Sequence, residues 1–266
     1  MTGRIVRGMP DAGYRAAAGV NQSSLKTILD CPARYRWEQD TQRPGKDAYD
    51  FGHVVHAMVL GRGVEYARLD FPDRRTKAFK EADAEAREAG LVPLVSATYD
   101  RAAAAAAAVR SHPLAGPILT REGEAEVAAF WQRPDGRECK ALIDWLTVTP
   151  DDTHWLIDVK TKSGSVAPAA FAKSVADYGY HVQQAWYQDG YYAATGVFPR
   201  FLFVVVGTDA PHHVMVGELA DAAVDKGREL YEHALTVLGA CEASGRWPGY
   251  TDTEPAIIEL PAWATR

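Results

Sequence analysis

The chain has 266 residues, 47% of them apolar, which is enough to bury a sizeable core in one large or two small domains. It has no apolar run of about 20 residues, so no membrane span is expected, and its start, MTGRIVRGMPDAG, lacks the apolar stretch of a secretory signal. A formal charge of -6 argues against a protein that coats nucleic acid but allows an enzyme with a local basic groove; three scattered cysteines suit a reducing cytoplasm.

Residues 1–20 read as a flexible leading segment. Two short helices follow within 22–40, where Ser23 can cap the first and Pro32 can open the second. The polar stretch 41–50 reads as a loop. Over 49–60, Phe51, Val54, Val55, Met58 and Val59 fall at helical spacing. Residues 61–76 read as irregular, followed by helices over 77–89, ending at Gly90, and 96–111. The alanines 102–108 fit a plain solvent-flanked helix, because alanine is the best helix former. Strands are then expected at 124–132, 137–148 and 154–161, with turns at 133–136 and 150–152. A helical stretch over 168–194, broken near Gly179, leads to strands at 200–207 and 212–219 and a long helix over 220–244. That order predicts an α/β fold, with a helical part over 21–115 and a sheet-containing core with a mixed central sheet over 120–245.

The chemistry-bearing residues cluster in the second and third core strands. The strand period of two puts Asp158 and Lys160 on one face of HWLIDVKT. In the strand before it, the same period groups Lys140, Leu142 and Asp144, with Cys139, Ala141, Ile143 and Trp145 opposite. Paired antiparallel, these strands would bring Asp144 and Asp158 together at one end of the sheet. Two carboxylates and a nearby backbone carbonyl, that of Val159, are hard oxygen ligands of the kind Mg²⁺ or Mn²⁺ prefers. A lysine beside them can orient or deprotonate a water and offset charge on a phosphate. The competing view, that both are ordinary strand-end acids, fits poorly inside the apolar strings IDW and LIDVKT, where an unpaired carboxylate is costly.

An Asp, a hairpin and then Asp-x-Lys resembles the signature of the PD-(D/E)XK nuclease superfamily. Gly52-His53-Val54-Val55-His56 resembles the G-x-x-x-H motif of its RecB-type branch, and Gln183 and Tyr187 match the downstream Q-x-x-x-Y motif. SSLKTILDCPARYRW resembles the branch's N-terminal helical segment. The ensemble, over 21–196, is most similar to the RecE-like exodeoxyribonucleases (exonuclease VIII) of phages and prophages. The resemblance implies a single nuclease domain over 1–266 and a Mg²⁺- or Mn²⁺-dependent 5′-to-3′ exonuclease of linear double-stranded DNA. The 3′ single strands it leaves would serve recombination, with a single-strand annealing recombinase as a possible partner. It also implies that His56 helps bind metal or the attacked phosphate, and that a homo-oligomeric ring encloses the duplex.

Gln183 and Tyr187 share a helix face, either as a solvated polar pair or pointing into the cleft to steady Lys160 or a phosphate. Many RecE-like chains have a basic residue where Leu142 stands; its loss could weaken phosphate binding, but Lys140 remains on that face as a candidate DNA contact, and Lys162 reads as surface. Glu124 and Glu126 share a face of the preceding strand, and Glu126 is a candidate further ligand. Arg34 or Arg36 could grip a DNA terminus, whereas Arg74, Arg75, Lys77 and Lys80 could line a DNA path or simply start a solvated helix. Some RecB-type nucleases carry an iron–sulfur cluster. Here Cys31 has a comparable early position but the C-terminal part supplies only Cys241, so no cluster is expected. The rival functions are an endonuclease on the same site and a non-catalytic DNA-binding protein that keeps the fold.

Overall fold

The computed structural model describes residues 3–41 and 47–260. The helical part begins with β1 (Gly3–Val6), α1 (Asp11–Ala16), α2 (Gln22–Asp30), α3 (Pro32–Asp40) and α4 (Asp47–Leu60). It continues through β2 (Tyr66–Leu69), α5 (Lys77–Glu88), β3 (Val92–Val95), α6 (Ser96–Ser111) and α7 (Ala115–Thr120). The core holds β4 (Gly123–Gln132), β5 (Glu138–Val148), β6 (His154–Lys162), α8 (Pro168–Tyr178), α9 (Tyr180–Thr195), β7 (Arg200–Gly207), β8 (Val214–Gly217) and α10 (Asp221–Ser244).

Six strands form one mixed sheet in the order β1-β4-β5-β6-β7-β8, antiparallel throughout except for the parallel pair β6 and β7. A parallel pair needs a long crossover, and α8 and α9 supply it. Both faces of the sheet are covered, which is why RFLFVVVG reads as a continuous apolar run. Phe201, Phe203 and Val205 of β7 pack with α2, α8, α9 and α10, whereas Leu202, Val204 and Val206 pack with α4, α6 and α7. The expected α/β architecture with a mixed, helix-flanked sheet is the one the chain adopts.

Several local expectations change. Within the stretch read as flexible, Gly3–Val6 is an edge strand on β4 and is followed by α1. Its four residues are too few to show a period. Tyr66–Leu69 lies in the stretch read as irregular and pairs in parallel with Val92–Val95 as a separate two-stranded sheet. The alanine helix α6 is not merely solvent-flanked: Ala102, Ala105, Ala106 and Val109 are completely buried. Small side chains there let the α6 backbone approach α4 and the sheet closely. Residues 42–46 of the expected loop 41–50 lie outside the described residues.

Candidate active site

The site lies where β5 and β6 part. Their ladder runs from Val148↔His154 to Trp145↔Ile157 and stops one step short of Asp144 and Asp158, which the same register would set opposite each other. On the other side of β5, pairing with β4 skips the step between Ala125↔Trp145 and Val127↔Ile143, where Glu126 would face Asp144. Glu126 has φ 53°, a left-handed conformation that bends the strand, as bulges do beside active sites. The alternation of faces breaks at that step: Val127 and Ile143 join the core under α9, but Ala125 and Trp145 join the core under α4. The expectation that Trp145 shares the face of Ile143 is thereby corrected; a strict period of two does not survive a left-handed residue.

The break gives Asp144 a distinct job. Its Oδ2 accepts a hydrogen bond from the Val159 N–H at 2.9 Å, standing in for the missing ladder partner. In an extended strand a residue's N–H and C=O point to the same edge, so the Val159 carbonyl faces the same opening. From α4, His56 Nε2 reaches Asp144 Oδ2 at 3.0 Å. From α9, Gln183 Nε2 donates to Asp158 Oδ1 at 2.5 Å. Lys160 Nζ stands 2.5 Å from Asp158 Oδ2, but off the hydrogen-bonding direction. That oxygen is fully buried and has an ion-pair partner without a hydrogen bond.

The charges follow from burial and neighbours. Burial pushes the Asp158 carboxyl up to about 6; Lys160 opposes this and Asp144 reinforces it. Burial would raise Asp144 too, but His56 and Lys160 outweigh it and hold that carboxyl below its ordinary value. Burial works against the charged forms of His56 and Lys160, yet the carboxylates hold both above their usual ranges. Tyr187 is buried, which raises its hydroxyl well above 10 while the Gln183 amide hydrogen-bonds to it. Gln183 and Tyr187 therefore point inward rather than into solvent.

The other expected residues divide. Glu126 lies beside Arg62, at 3.5 Å, and its charge reaches His56, so it borders the site; Glu124 pairs with Arg7 on the surface. Lys140 is a correction: it is 5% exposed and donates to the carbonyls of Tyr14, Arg15 and Ala17 at 2.9, 3.3 and 2.6 Å. An ammonium that neutralises the C-terminal carbonyls of α1 is part of the packing, not of a DNA groove. Arg34 is held between Asp30 and Glu38, and Arg36 pairs with Asp40, so neither early arginine is aimed at the site. Lys162 donates to the neighbouring Ser163 carbonyl, while Arg75 and Lys77 pair with Asp73 and Glu81 at the solvated start of α5. The three cysteines are buried and free.

Two site residues escaped the sequence reading. Lys160 Nζ lies 4.9 Å from the centre of the Tyr180 ring, a cation–π contact. Tyr180 stands three residues before Gln183, so helical spacing could have found it. Lys26 of α2 lies within electrostatic reach of Lys160 and Asp158, which no local pattern reveals.

The donor set fits a hard divalent ion. Two carboxylates repel one another at an opened sheet edge, and one of them keeps a buried oxygen without a hydrogen bond. No group of three His, Cys, Asp or Glu side chains among the described residues is arranged to hold an ion unaided. A divalent ion bound through one or two carboxylates completes its shell with water and phosphate oxygens, so Asp144 and Asp158 with the Val159 carbonyl would offer it enough protein ligands.

Gly52 explains how His56 arrives. A Cβ at Gly52 would stand 3.2 Å from Thr161 Oγ1, so α4 lies close enough to β6 that a side chain there would crowd it. Gly52→Val should push α4 outward, costing about 1–3 kcal/mol in thermal unfolding. It should also slow DNA hydrolysis about 100-fold, the order expected from a displacement near 1 Å. A wild-type rate in this variant would show that the glycine does not set the place of His56.

A sheet that opens between an Asp and an Asp-x-Lys strand, with helices on both faces, defines a PD-(D/E)XK-type nuclease fold. The family model described as "PDDEXK-like domain of unknown function (DUF3799)" matches residues 21–257, and the chain belongs to that family. Among solved structures, the chain is similar to a "putative exonuclease" from Eubacterium rectale, with a TM-score of 0.64 and 12% identity over 96% of each chain. At that identity the likeness shows the fold alone. A second structure, SSO0001, is 12% identical over 81% of this chain and 85% of its own, with a TM-score of 0.32, too low to carry an argument. No curated protein matches the chain. Family and fold together support a nuclease.

Proposed function

We propose that the protein is a divalent-metal-dependent exonuclease that degrades linear double-stranded DNA from 5′ to 3′, leaving 3′ single strands for recombination. The observation that carries the nuclease chemistry is the buried Asp158 carboxylate, gripped by Lys160 and Gln183 at the break in the sheet, with Asp144 and His56 alongside. Bound at Asp144 and Asp158, Mg²⁺ or Mn²⁺ would supply positive charge to a phosphate oxygen and make water more acidic. Gln183 fixes the rotamer of Asp158, and His56 together with the Val159 N–H fixes that of Asp144, so both carboxylates are preorganised. Held in its ammonium form by the two carboxylates and seated on Tyr180, Lys160 orients the attacking water and offsets charge growing on the phosphate. The water oxygen forms its bond to phosphorus as the bond to the leaving sugar oxygen breaks; the water gives up a proton to bulk solvent, and the sugar oxygen takes one from solvent as it leaves.

The RecE-like motifs support the polarity and the recombination role, with a single-strand annealing recombinase as partner. The charge of -6 supports a ring-like homo-oligomer, because a lone acidic subunit would leave a polyanion readily as salt rises. The test is linear duplex labelled at the 5′ or the 3′ end, beside covalently closed circular DNA. Immediate release of the 5′ label with the circle intact is expected. Cutting of the circle would replace the exonuclease by an endonuclease on the same site, and earlier loss of the 3′ label would reverse the polarity.

A further inference from the structure

The turn that joins α8 to α9 does more than connect them. Gly179 carries φ 64° and ends α8, and the stem of Lys26 crosses directly above it: a Cβ at Gly179 would lie 2.9 Å from Lys26 Cδ. Past the glycine, Lys26 Nζ donates to the Tyr178 carbonyl at 2.9 Å, which caps the C-terminus of α8 and leaves its two other N–H groups without an acceptor among the described residues. On the far side of the same glycine, the Tyr180 ring carries the Lys160 ammonium. The turn is thus bracketed by two lysines whose charges act on each other and on Asp158. Lys160 already has its anions in Asp158 and Asp144, so Lys26, which donates only to a carbonyl among the described residues, is the ammonium left to meet a further anion.

Tyr178 is the exposed member of this group. The residue is 60% exposed, yet its ring packs at 5.7 Å and 34° against Tyr180, which is itself wedged against Phe171 and Phe203. A large aromatic face left in water, held rigid from behind and with an ammonium at its own backbone carbonyl, is an arrangement by which proteins hold an unpaired nucleotide. The base stacks on the ring and the phosphate meets the cations.

We propose that Tyr178 and Lys26 form a nucleotide subsite beside the reacting phosphate, Tyr178 stacking on a base frayed from the duplex end and Lys26 contacting its phosphate. This rests on the nuclease reading and adds a substrate requirement to it: the strand enters the site unpaired at its terminal nucleotide. Substrates whose end is already frayed or single-stranded would be preferred, since no pairing energy is spent.

The test uses a duplex with 2-aminopurine at the 5′-terminal position, titrated with protein in EDTA so that no strand is cut. Stacking on Tyr178 quenches the fluorescence of that base. Tyr178→Ala should lose the quench and bind roughly 10-fold more weakly, within the range for one base–aromatic stack, whereas Tyr178→Trp should keep both. Lys26→Gln should lower the slope of log affinity against log salt by about 0.7–0.9, the loss of one phosphate contact. Wild-type affinity, quench and salt slope in these variants, with the wild type cutting DNA in Mg²⁺, would overturn the subsite and leave the nuclease standing. A wild type that neither binds nor cuts DNA would overturn the nuclease reading and the subsite with it.

Discussion

Asp144→Asn is expected to reduce DNA hydrolysis by at least about 10³-fold while leaving the metal-free protein folded, with a thermal stability lowered by about 1–3 kcal/mol. The two halves of this expectation have separate causes. An asparagine carbonyl can still accept the Val159 N–H that Asp144 now binds, so the opened end of the sheet keeps its hydrogen bond. The amide gives up the ion pair with His56, but it also removes the charge that helps hold Asp158 at about 6, and that relaxed repulsion offsets part of the loss. What it cannot do is offer an anionic oxygen to a cation. Initial rates on linear duplex, beside a melting curve in EDTA, check both halves, and a near-wild-type rate would place the chemistry elsewhere.

Lys160→Gln should act on both rate and stability, in a pH-dependent way. The rate should fall about 10²- to 10³-fold, because the cation aimed at the phosphate is gone. The stability effect follows from Asp158. Its carboxyl titrates near 6 in the folded chain against 3.8 as a free side chain, so the folded state binds the proton more tightly. Stability from this group is therefore fully present below about 4 and is lost as pH rises towards 6. Without Lys160 the folded value moves higher still and the loss continues into the neutral range. Urea unfolding of the metal-free variant should match wild type near pH 4 and fall short by about 3 kcal/mol at pH 8, the order for breaking a buried ion pair. An equal deficit at both pH values would mean that packing, not charge, underlies the loss.

Much of the site was legible because it depends on short-range periods. Asp158 and Lys160 share a face since β6 is regular between them, and Gln183 and Tyr187 share one since α9 is. Where the fold departs from regularity the sequence is silent. Nothing in EAEVAAFWQ marks Glu126 as left-handed, so the opening of the sheet and the turning of Trp145 to the other face could not be foreseen. Lys140 was misplaced for a different reason: its partners are carbonyls of an N-terminal helix more than a hundred residues away, brought in by tertiary packing alone. Lys26 is the converse case, a lysine that no helical or strand period ties to the acids and that the fold carries within reach of Asp158. Four-residue strands such as Gly3–Val6 are too short for any alternation to stand out.

If Asp144 and Asp158 hold the divalent ion on which strand cleavage depends, removing and restoring that ion must switch cleavage off and on. Linear duplex is incubated with protein stripped by EDTA, with the same protein resupplied with Mg²⁺, Mn²⁺ or Ca²⁺, and with Asp158→Ala resupplied with Mg²⁺. Hydrolysis is predicted with Mg²⁺ and Mn²⁺ in the wild type only, none in EDTA, and none with Ca²⁺, whose larger, looser coordination does not support turnover. Cleavage that persists in EDTA, or that Asp158→Ala carries out at the wild-type rate with Mg²⁺, would contradict that dependence.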